Sequence, residues 1–104
     1  MQNFGICEWS FPVDGLAAMT LVKEAGYDGI QLGEAGGRQK GYPLSNERVA
    51  SLYREKAMEL GLKLHSLNMG AMLAEGTLNY GVSTSRGQAA RESMKMGITA
   101  CRLM

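Results

Sequence analysis

The pattern of apolar and polar positions divides the chain into helical and extended segments. An apolar stripe at helical spacing over 14–25 predicts a first helix with Asp14 as its N-cap. A stronger amphipathic stripe over 45–60 predicts a second helix, which begins at the capping residue Ser45. A weaker stripe over 85–96, rich in good helix formers, predicts a third. Short apolar segments between these helices have the length of strands.

A repeat of about 35 residues links the helices to the strands. Each copy places a glycine at the end of a predicted helix and a short apolar strand directly after it. Gly26, Gly61 and Gly97 lie at spacings of 35 and 36 residues. Helices often end in a left-handed residue, a conformation that glycine adopts without steric cost, so these glycines predict three helix ends. The three copies are 25–32, 60–67 and 96–103.

The order of predicted elements indicates the fold class. With an opening strand over 4–9 the order becomes β-α-β-α-β-α-β, which predicts parallel strands joined by helical crossovers. Eight such units would give about 280 residues, the size of a (β/α)8 TIM barrel. We therefore expect an α/β fold of four parallel strands alternating with three helices. Residues 1–104 would form one partial TIM-barrel domain, the front half, truncated after strand four. The alternative is a small open α/β domain.

Ligands of parallel α/β sheets bind beyond the carboxyl ends of the strands, which selects the residues that follow each predicted strand. Alternation along the strands places Gln31, Ser66 and Arg102 on the barrel axis. The only histidine, His65, then faces the helices, although a slip of one residue in register would reverse that orientation. The selected residues are Glu8, Trp9, Ser10, Gly33, Glu34, Asn68, Met69 and Arg102.

The selected side chains suggest several kinds of chemistry. Glu8 and Glu34 end adjacent predicted strands, so their carboxylates can approach each other for acid–base or metal chemistry. The alternative is that each carboxylate accepts hydrogen bonds from loop backbone. Trp9 is either a stacking wall for a sugar or a cap on the barrel mouth. A buried Arg102 needs an acidic partner, which we expect to be a strand-end glutamate.

Composition narrows the classes of function. Hydrophobic residues at 45% and charged residues at 20% are typical of a globular domain, and a net charge of +1 is too small to attract nucleic acid or an anionic membrane. Cys7 and Cys101 form no Cys-x-x-Cys pair, and the first residues lack the pattern of a secretion signal. We therefore expect a reduced, cytoplasmic protein with no nucleic-acid or membrane partner. Two long loops on one rim, 33–42 and 70–82, indicate a ligand side; the first is either a lid or a phosphate cradle.

Three segments resemble the xylose-isomerase-like superfamily of sugar phosphate isomerases and epimerases: 4–10, 25–34 and 60–68. The resemblance covers nearly all of the chain and about the first half of that family's barrel. It implies a parent enzyme that transfers a proton next to a carbonyl or hydroxyl carbon of a polyol, with a divalent metal (Mn, Mg, Co or Zn) polarising the oxygen. The metal ligands of such epimerases lie on later strands, so no metal is expected for this chain alone. Glu34 matches a substrate-side position and Trp9 a pocket-wall position.

The resemblance and the strand-end residues together give one leading expectation. The chain is the N-terminal half of a sugar (phosphate) isomerase or epimerase, inactive alone, whose partners are a small sugar or polyol and either the missing C-terminal half or further copies of itself. The alternative is a non-catalytic half-barrel that self-associates through exposed sheet edges. An apurinic-site endonuclease parent is disfavoured by the near-neutral charge. The expected substrate-binding residues are Glu8, Trp9, Glu34, Ser66, Asn68 and Arg102.

Overall fold

Three parallel strands form the central sheet of the domain. A computed structural model describes residues 2–104. The strands are β1 (Gly5–Cys7), β2 (Gly29–Gly33) and β3 (Lys63–Asn68), in the order β1-β2-β3. The helices are α1 (Gly15–Glu24), α2 (Glu47–Leu60), α3 (Gly70–Ala74) and α4 (Ser85–Leu103). None of the helices in this part of the chain is both long and apolar enough to cross a membrane.

The core lies between α1, α2 and one face of the sheet. Strand residues Ile30 and Leu32 meet Met19 and Val22 of α1 there, and all four side chains are almost completely buried. Burying a side chain of this size contributes about 1.5–3 kcal/mol, so these four residues anchor the helix layer to the sheet. The predicted stripe of the first helix therefore faces the core, whereas Leu52, an apolar residue of the second predicted stripe, is 51% exposed.

The ends of the first two helices follow the predicted glycines. Gly26 and Gly61 both adopt the left-handed conformation, with φ of 91° and 62°. The predicted cap Ser45 is wrong. Asn46 is the N-cap of α2 and its side-chain oxygen accepts hydrogen bonds from the next turn, whereas the Ser45 hydroxyl donates to the carbonyl of Tyr42 at 2.7 Å.

The predicted fourth strand is wrong, and with it the prediction of a four-stranded front half of a TIM barrel. Residues 98–103 continue α4, which runs unbroken from Ser85 to Leu103, so residues 2–104 contain three strands and four α-helices. Gly97 is not a helix end but a buried position inside the helix. A Cβ at Gly97 would lie 2.8 Å from the sulfur of Met69, so the absence of a side chain lets α4 approach the end of β3.

Small residues form the buried face of α4. Their helical spacing places them against the turns Pro43–Ser45 and Thr77–Asn79, and against α2 and β3. The Ser93 hydroxyl lies 3.0 Å from the hydroxyl of Tyr42, which ties the middle of the helix to the loop before α2. This continuous small face holds residues 96–103 in the helix in spite of their apolar, strand-like composition. The buried positions are Gly87, Ala90, Ser93, Gly97 and Ala100.

The face of the sheet opposite the core carries small and polar side chains. The pairing of β2 with β3 contains a bulge, because Ile30 pairs with Leu64 but Gln31 pairs with Ser66. The extra residue, His65, has its ring next to Gly5 and Gly29, on the face away from the helices. The prediction that His65 faces the helices is therefore wrong, and the one-residue irregularity that would reverse it is present.

Candidate functional site

An open cleft of about 840 Å³ lies at the carboxyl edge of the three strands. Each strand contributes the residues that directly follow it, as expected for a parallel α/β sheet. The segment between β1 and α1 and the short helix α3 complete the walls. The residues lining the cleft are Glu8, Trp9, Phe11, Pro12, Val13, Asp14, Gly33, Glu34, Ala35, Gly36, Asn68, Gly70 and Ala71.

Glu8 is a buried carboxylate at the base of the cleft, with 8% of its surface exposed. It opens a 3₁₀ turn after β1, and this turn points its side chain across the ends of the strands. Oε2 accepts the backbone N–H of Gly15 at 3.0 Å and Oε1 accepts that of Gly33 at 3.2 Å. Glu8 therefore connects the first residue of α1 to the last residue of β2.

Glu34 is the second buried carboxylate and is also 8% exposed. Its Oε1 accepts the backbone N–H of Met72 at 2.8 Å, which joins the end of β2 to α3. No hydrogen bond of Oε2 is formed within residues 2–104, and no buried side-chain oxygen or nitrogen in this part of the chain lacks a partner, so Oε2 reaches solvent. Glu34 thus has one carboxylate oxygen without a hydrogen-bond partner in residues 2–104.

The backbone after Glu34 is unusually constrained. Ala35, Gly36 and Gly37 all adopt positive φ angles, of 51°, 88° and 50°, which is a costly conformation for alanine. A Cβ at Gly37 would lie 3.0 Å from both Cδ and Oε2 of Glu34. The left-handed segment therefore folds back against the carboxylate, and Gly37 leaves the space that Oε2 occupies.

One wall of the cleft is apolar. Trp9, the only tryptophan of the chain, is 55% exposed, and Phe11, Pro12 and Val13 follow it along the same segment. Asn68 contributes an amide at the end of β3, where its oxygen would lie 2.9 Å from a Cβ at Gly70. A cleft lined by an aromatic ring and by carboxylate and amide groups has the chemistry to bind a sugar, since the ring can stack on the C–H face and the polar groups can bind the hydroxyls.

Tyr53 of α2 supports the cleft from the helix side. A Cβ at Gly15 would lie 3.0 Å from its hydroxyl oxygen, so the ring packs under the start of α1. Burial raises the pKa of Tyr53 above its ordinary value of 10.0, and the negative charges of Glu8 and Asp14 raise it further. Tyr53 therefore stays neutral across the physiological range and adds no charge beneath the cleft.

Four of the six predicted substrate-binding residues meet in this cleft, namely Glu8, Trp9, Glu34 and Asn68. The other two lie elsewhere. Ser66 is on the open sheet face, with its hydroxyl 2.9 Å from Nδ1 of His65. Arg102 is exposed on the last turn of α4 and does not pair with a strand-end glutamate.

No residue pattern in the sequence indicates the contacts that hold the two carboxylates. Their backbone donors come from Gly15, Gly33 and Met72, and a backbone N–H is present at every residue type except proline. The sequence predicts that the two long loops lie on a ligand side, and an ion pair between Arg38 and Glu75 at 2.9 Å connects them. This exposed pair brings the first loop next to the end of α3.

The donor set of the cleft does not fit a divalent metal. Such ions take several oxygen or nitrogen ligands, but both oxygens of Glu8 and one of Glu34 are already engaged by backbone N–H groups. His65 does not line the cleft; it lies beside Gly5 and Asp28 near the opposite edge of the sheet. Residues 2–104 contain no group of three or more His, Cys, Asp or Glu side chains that could hold a metal.

The fold and the cleft define the class of protein as a two-layer parallel α/β domain with a carboxylate-lined cleft at the carboxyl edge of its sheet. No family model, curated protein or solved structure matches the chain.

Proposed function

We propose that the cleft binds a sugar or polyol and forms one wall of the substrate site of an isomerase or epimerase. The observation that carries this proposal is the presence of a carboxylate and an exposed aromatic ring in one cleft: Glu34, one of whose oxygens makes no hydrogen bond within residues 2–104, lines the same cleft as Trp9. The carboxylate accepts a hydrogen bond from a sugar hydroxyl, and the indole packs on the C–H groups of the ring.

From the residues that line the cleft, we expect this chain to bind substrate without converting it. Removing a proton from a carbon next to a carbonyl needs a base, a role that Glu34 suits, and a positive group or hydrogen-bond donor at the carbonyl oxygen. Within residues 2–104 the cleft lining includes no Lys, Arg or His side chain. We therefore expect no turnover of free ketoses or aldoses by this chain, with or without added Mn²⁺ or Co²⁺.

Replacing Glu34 by glutamine should weaken sugar binding by about tenfold or more, since a hydrogen bond to a charged group contributes about 1.5–3 kcal/mol. Glutamine keeps an oxygen for the N–H of Met72 and removes only the charge of Oε2, so the fold is retained. Because Trp9 is the only tryptophan, its fluorescence reports directly on the cleft during titration with D-fructose, D-xylose or myo-inositol.

The matched control is Glu24→Gln, which removes a charge from an exposed position at the far end of α1. It should leave both the fluorescence titration and the melting temperature unchanged. If no sugar alters the emission of Trp9 up to its solubility limit, or if Glu34→Gln binds as tightly as the unaltered chain, the proposal is wrong.

A second candidate function, self-association, is favoured by an apolar surface beside β3. β3 pairs only with β2 in the described part of the chain, and its other edge adjoins a groove of about 330 Å³ between the end of the strand and α4. Unpaired strand edges next to exposed apolar side chains promote association between copies of a chain. The apolar residues lining the groove are Leu67, Met69, Met94 and Ile98.

Replacing Ile98 by lysine tests this candidate, because Ile98 is 57% exposed and lies in the groove. If the surface joins two copies, burial of the charge should weaken the dimer by at least about tenfold, as measured by sedimentation equilibrium. Met58→Lys is the control, since Met58 is 76% exposed on α2 and does not line the groove. A monomer at every concentration, or equal effects of the two substitutions, would rule the candidate out.

A further inference from the structure

The side chains around the cleft carry negative charge only. Three carboxylates line it, from Glu8, Asp14 and Glu34, and within residues 2–104 no Lys, Arg or His side chain joins them. Asp14 is exposed at the start of α1, and its side chain makes no capping hydrogen bond, so its charge is not used by the helix. The field in the cleft is therefore unfavourable for an anion.

Arg38 and Lys40 belong to the loop after β2 but do not line the cleft. Arg38 forms its ion pair with Glu75 and lines a separate polar pocket together with Arg86. Lys40 packs the stem of its side chain against Gly36, where a Cβ would lie 2.2 Å from its Cγ. Lys40 thus lies beside a residue that lines the cleft, but it is not itself one of the lining groups.

Three backbone N–H groups near the cleft are also engaged by its carboxylates. Phosphate groups bind to clusters of backbone N–H groups and to arginine or lysine side chains. At this edge of the sheet the N–H groups of Gly15, Gly33 and Met72 already donate to Glu8 and Glu34. These three N–H groups are therefore not available to a phosphate, and the carboxylates that line the cleft are acceptors for hydroxyl groups.

We infer that the ligand of this cleft is an unphosphorylated sugar or polyol, and that the cleft rejects the corresponding phosphate ester. This inference rests on the proposed function, since it specifies the substrate class of the same site. Hydroxyl groups donate to the free oxygen of Glu34, whereas a phosphate dianion meets like charge from three carboxylates and finds no free cation among the lining groups.

The test compares D-fructose with D-fructose 6-phosphate on the full chain, using the fluorescence of Trp9. At low ionic strength we expect the free sugar to bind at least about tenfold more tightly than its phosphate, because repulsion between exposed charges is strongest there. At high ionic strength the difference should shrink, since salt screens that repulsion. A difference that does not change with salt would contradict the electrostatic argument.

A substitution at Asp14, at the edge of the cleft, tests the effect of charge without depending on how well one particular sugar fits. Asp14→Asn removes one charge and keeps a good N-cap residue, so it should reduce the ratio of the two affinities by about fivefold at low ionic strength. Glu24→Gln, the same change of charge outside the cleft on the same helix, should leave that ratio unchanged.

The outcomes separate the inference from the proposed function. If the phosphate ester binds as tightly as fructose or more tightly, the inference is wrong while the cleft remains a sugar site. An unchanged ratio in Asp14→Asn would also overturn it. If neither compound changes the emission of Trp9, the proposed function fails and the inference fails with it.

Discussion

Replacing Glu8 by alanine should lower the free energy of unfolding by about 3–5 kcal/mol, which is a large part of the stability of a small domain. The carboxylate is buried and accepts two backbone hydrogen bonds, from Gly15 and Gly33. Alanine would leave both N–H groups without their charged acceptor and would open a space at the base of the cleft. Urea denaturation followed by circular dichroism measures the change.

Glu8→Gln should have an intermediate effect, because glutamine retains one acceptor oxygen and turns the other into a donor that faces an N–H group. Glu24→Gln, at an exposed position, should change stability by less than about 0.5 kcal/mol. If Glu8→Ala costs less than about 1 kcal/mol, the two hydrogen bonds do not hold α1 to the sheet as described.

Replacing Gly87 by alanine should destabilise the domain by about 2–3 kcal/mol, although alanine is the better helix former by about 1 kcal/mol. Gly87 is buried in the first turn of α4, and a Cβ there would lie 2.0 Å from the carbonyl oxygen of Gly81. Backbone cannot move aside as a flexible side chain can. The start of α4 would have to shift, and its contacts with the turn Thr77–Asn79 would weaken.

Gly81→Ala is the matched control, because no atom lies within 4 Å of its added Cβ and its φ is not positive. Thermal denaturation should show a lower melting temperature for Gly87→Ala and an unchanged one for Gly81→Ala. An increase in stability of Gly87→Ala would mean that intrinsic helix propensity decides this position and that α4 does not pack against Gly81.

The elements that could be predicted from the sequence are those in which apolar residues recur at the regular spacing of a helix or a strand. The stripe containing Met19 and Val22 identifies α1, and the alternation of Ile30 and Leu32 identifies β2, because these side chains form the core. The ends of α1 and α2 could be predicted from Gly26 and Gly61, whose left-handed conformation is a local property of the chain.

The last third of the chain shows where a local pattern fails. Gly97 follows a helical segment and precedes Ile98, as the earlier two glycines precede strands, so the repeat predicts a strand there. The buried face of α4 is made of glycine, alanine and serine, which give almost no amphipathic signal. Packing of α4 against Met69 and the turn Pro43–Ser45 decides its conformation. The spacing of the repeat does not predict that packing.

Part of the candidate site could also be predicted from the sequence. Glu8, Trp9, Glu34 and Asn68 meet because each follows a strand of one parallel sheet, a property of topology that the sequence carries. The prediction that Arg102 lies on a fourth strand and faces the site is wrong, because residues 98–103 belong to α4. The bulge at His65 and the backbone partners of the glutamates could not be predicted, since neither depends on a recognisable residue pattern.

The central claim is that the cleft at the carboxyl edge of the sheet is the sugar site. The most direct test is a ¹H–¹⁵N NMR titration of the full chain with a free ketose such as D-fructose. We expect saturable shifts of the Trp9 indole and of the amides of Gly33, Ala71 and Met72, the last because its N–H bonds to Glu34. Shifts confined to α4, or the absence of saturable shifts anywhere, would contradict the account.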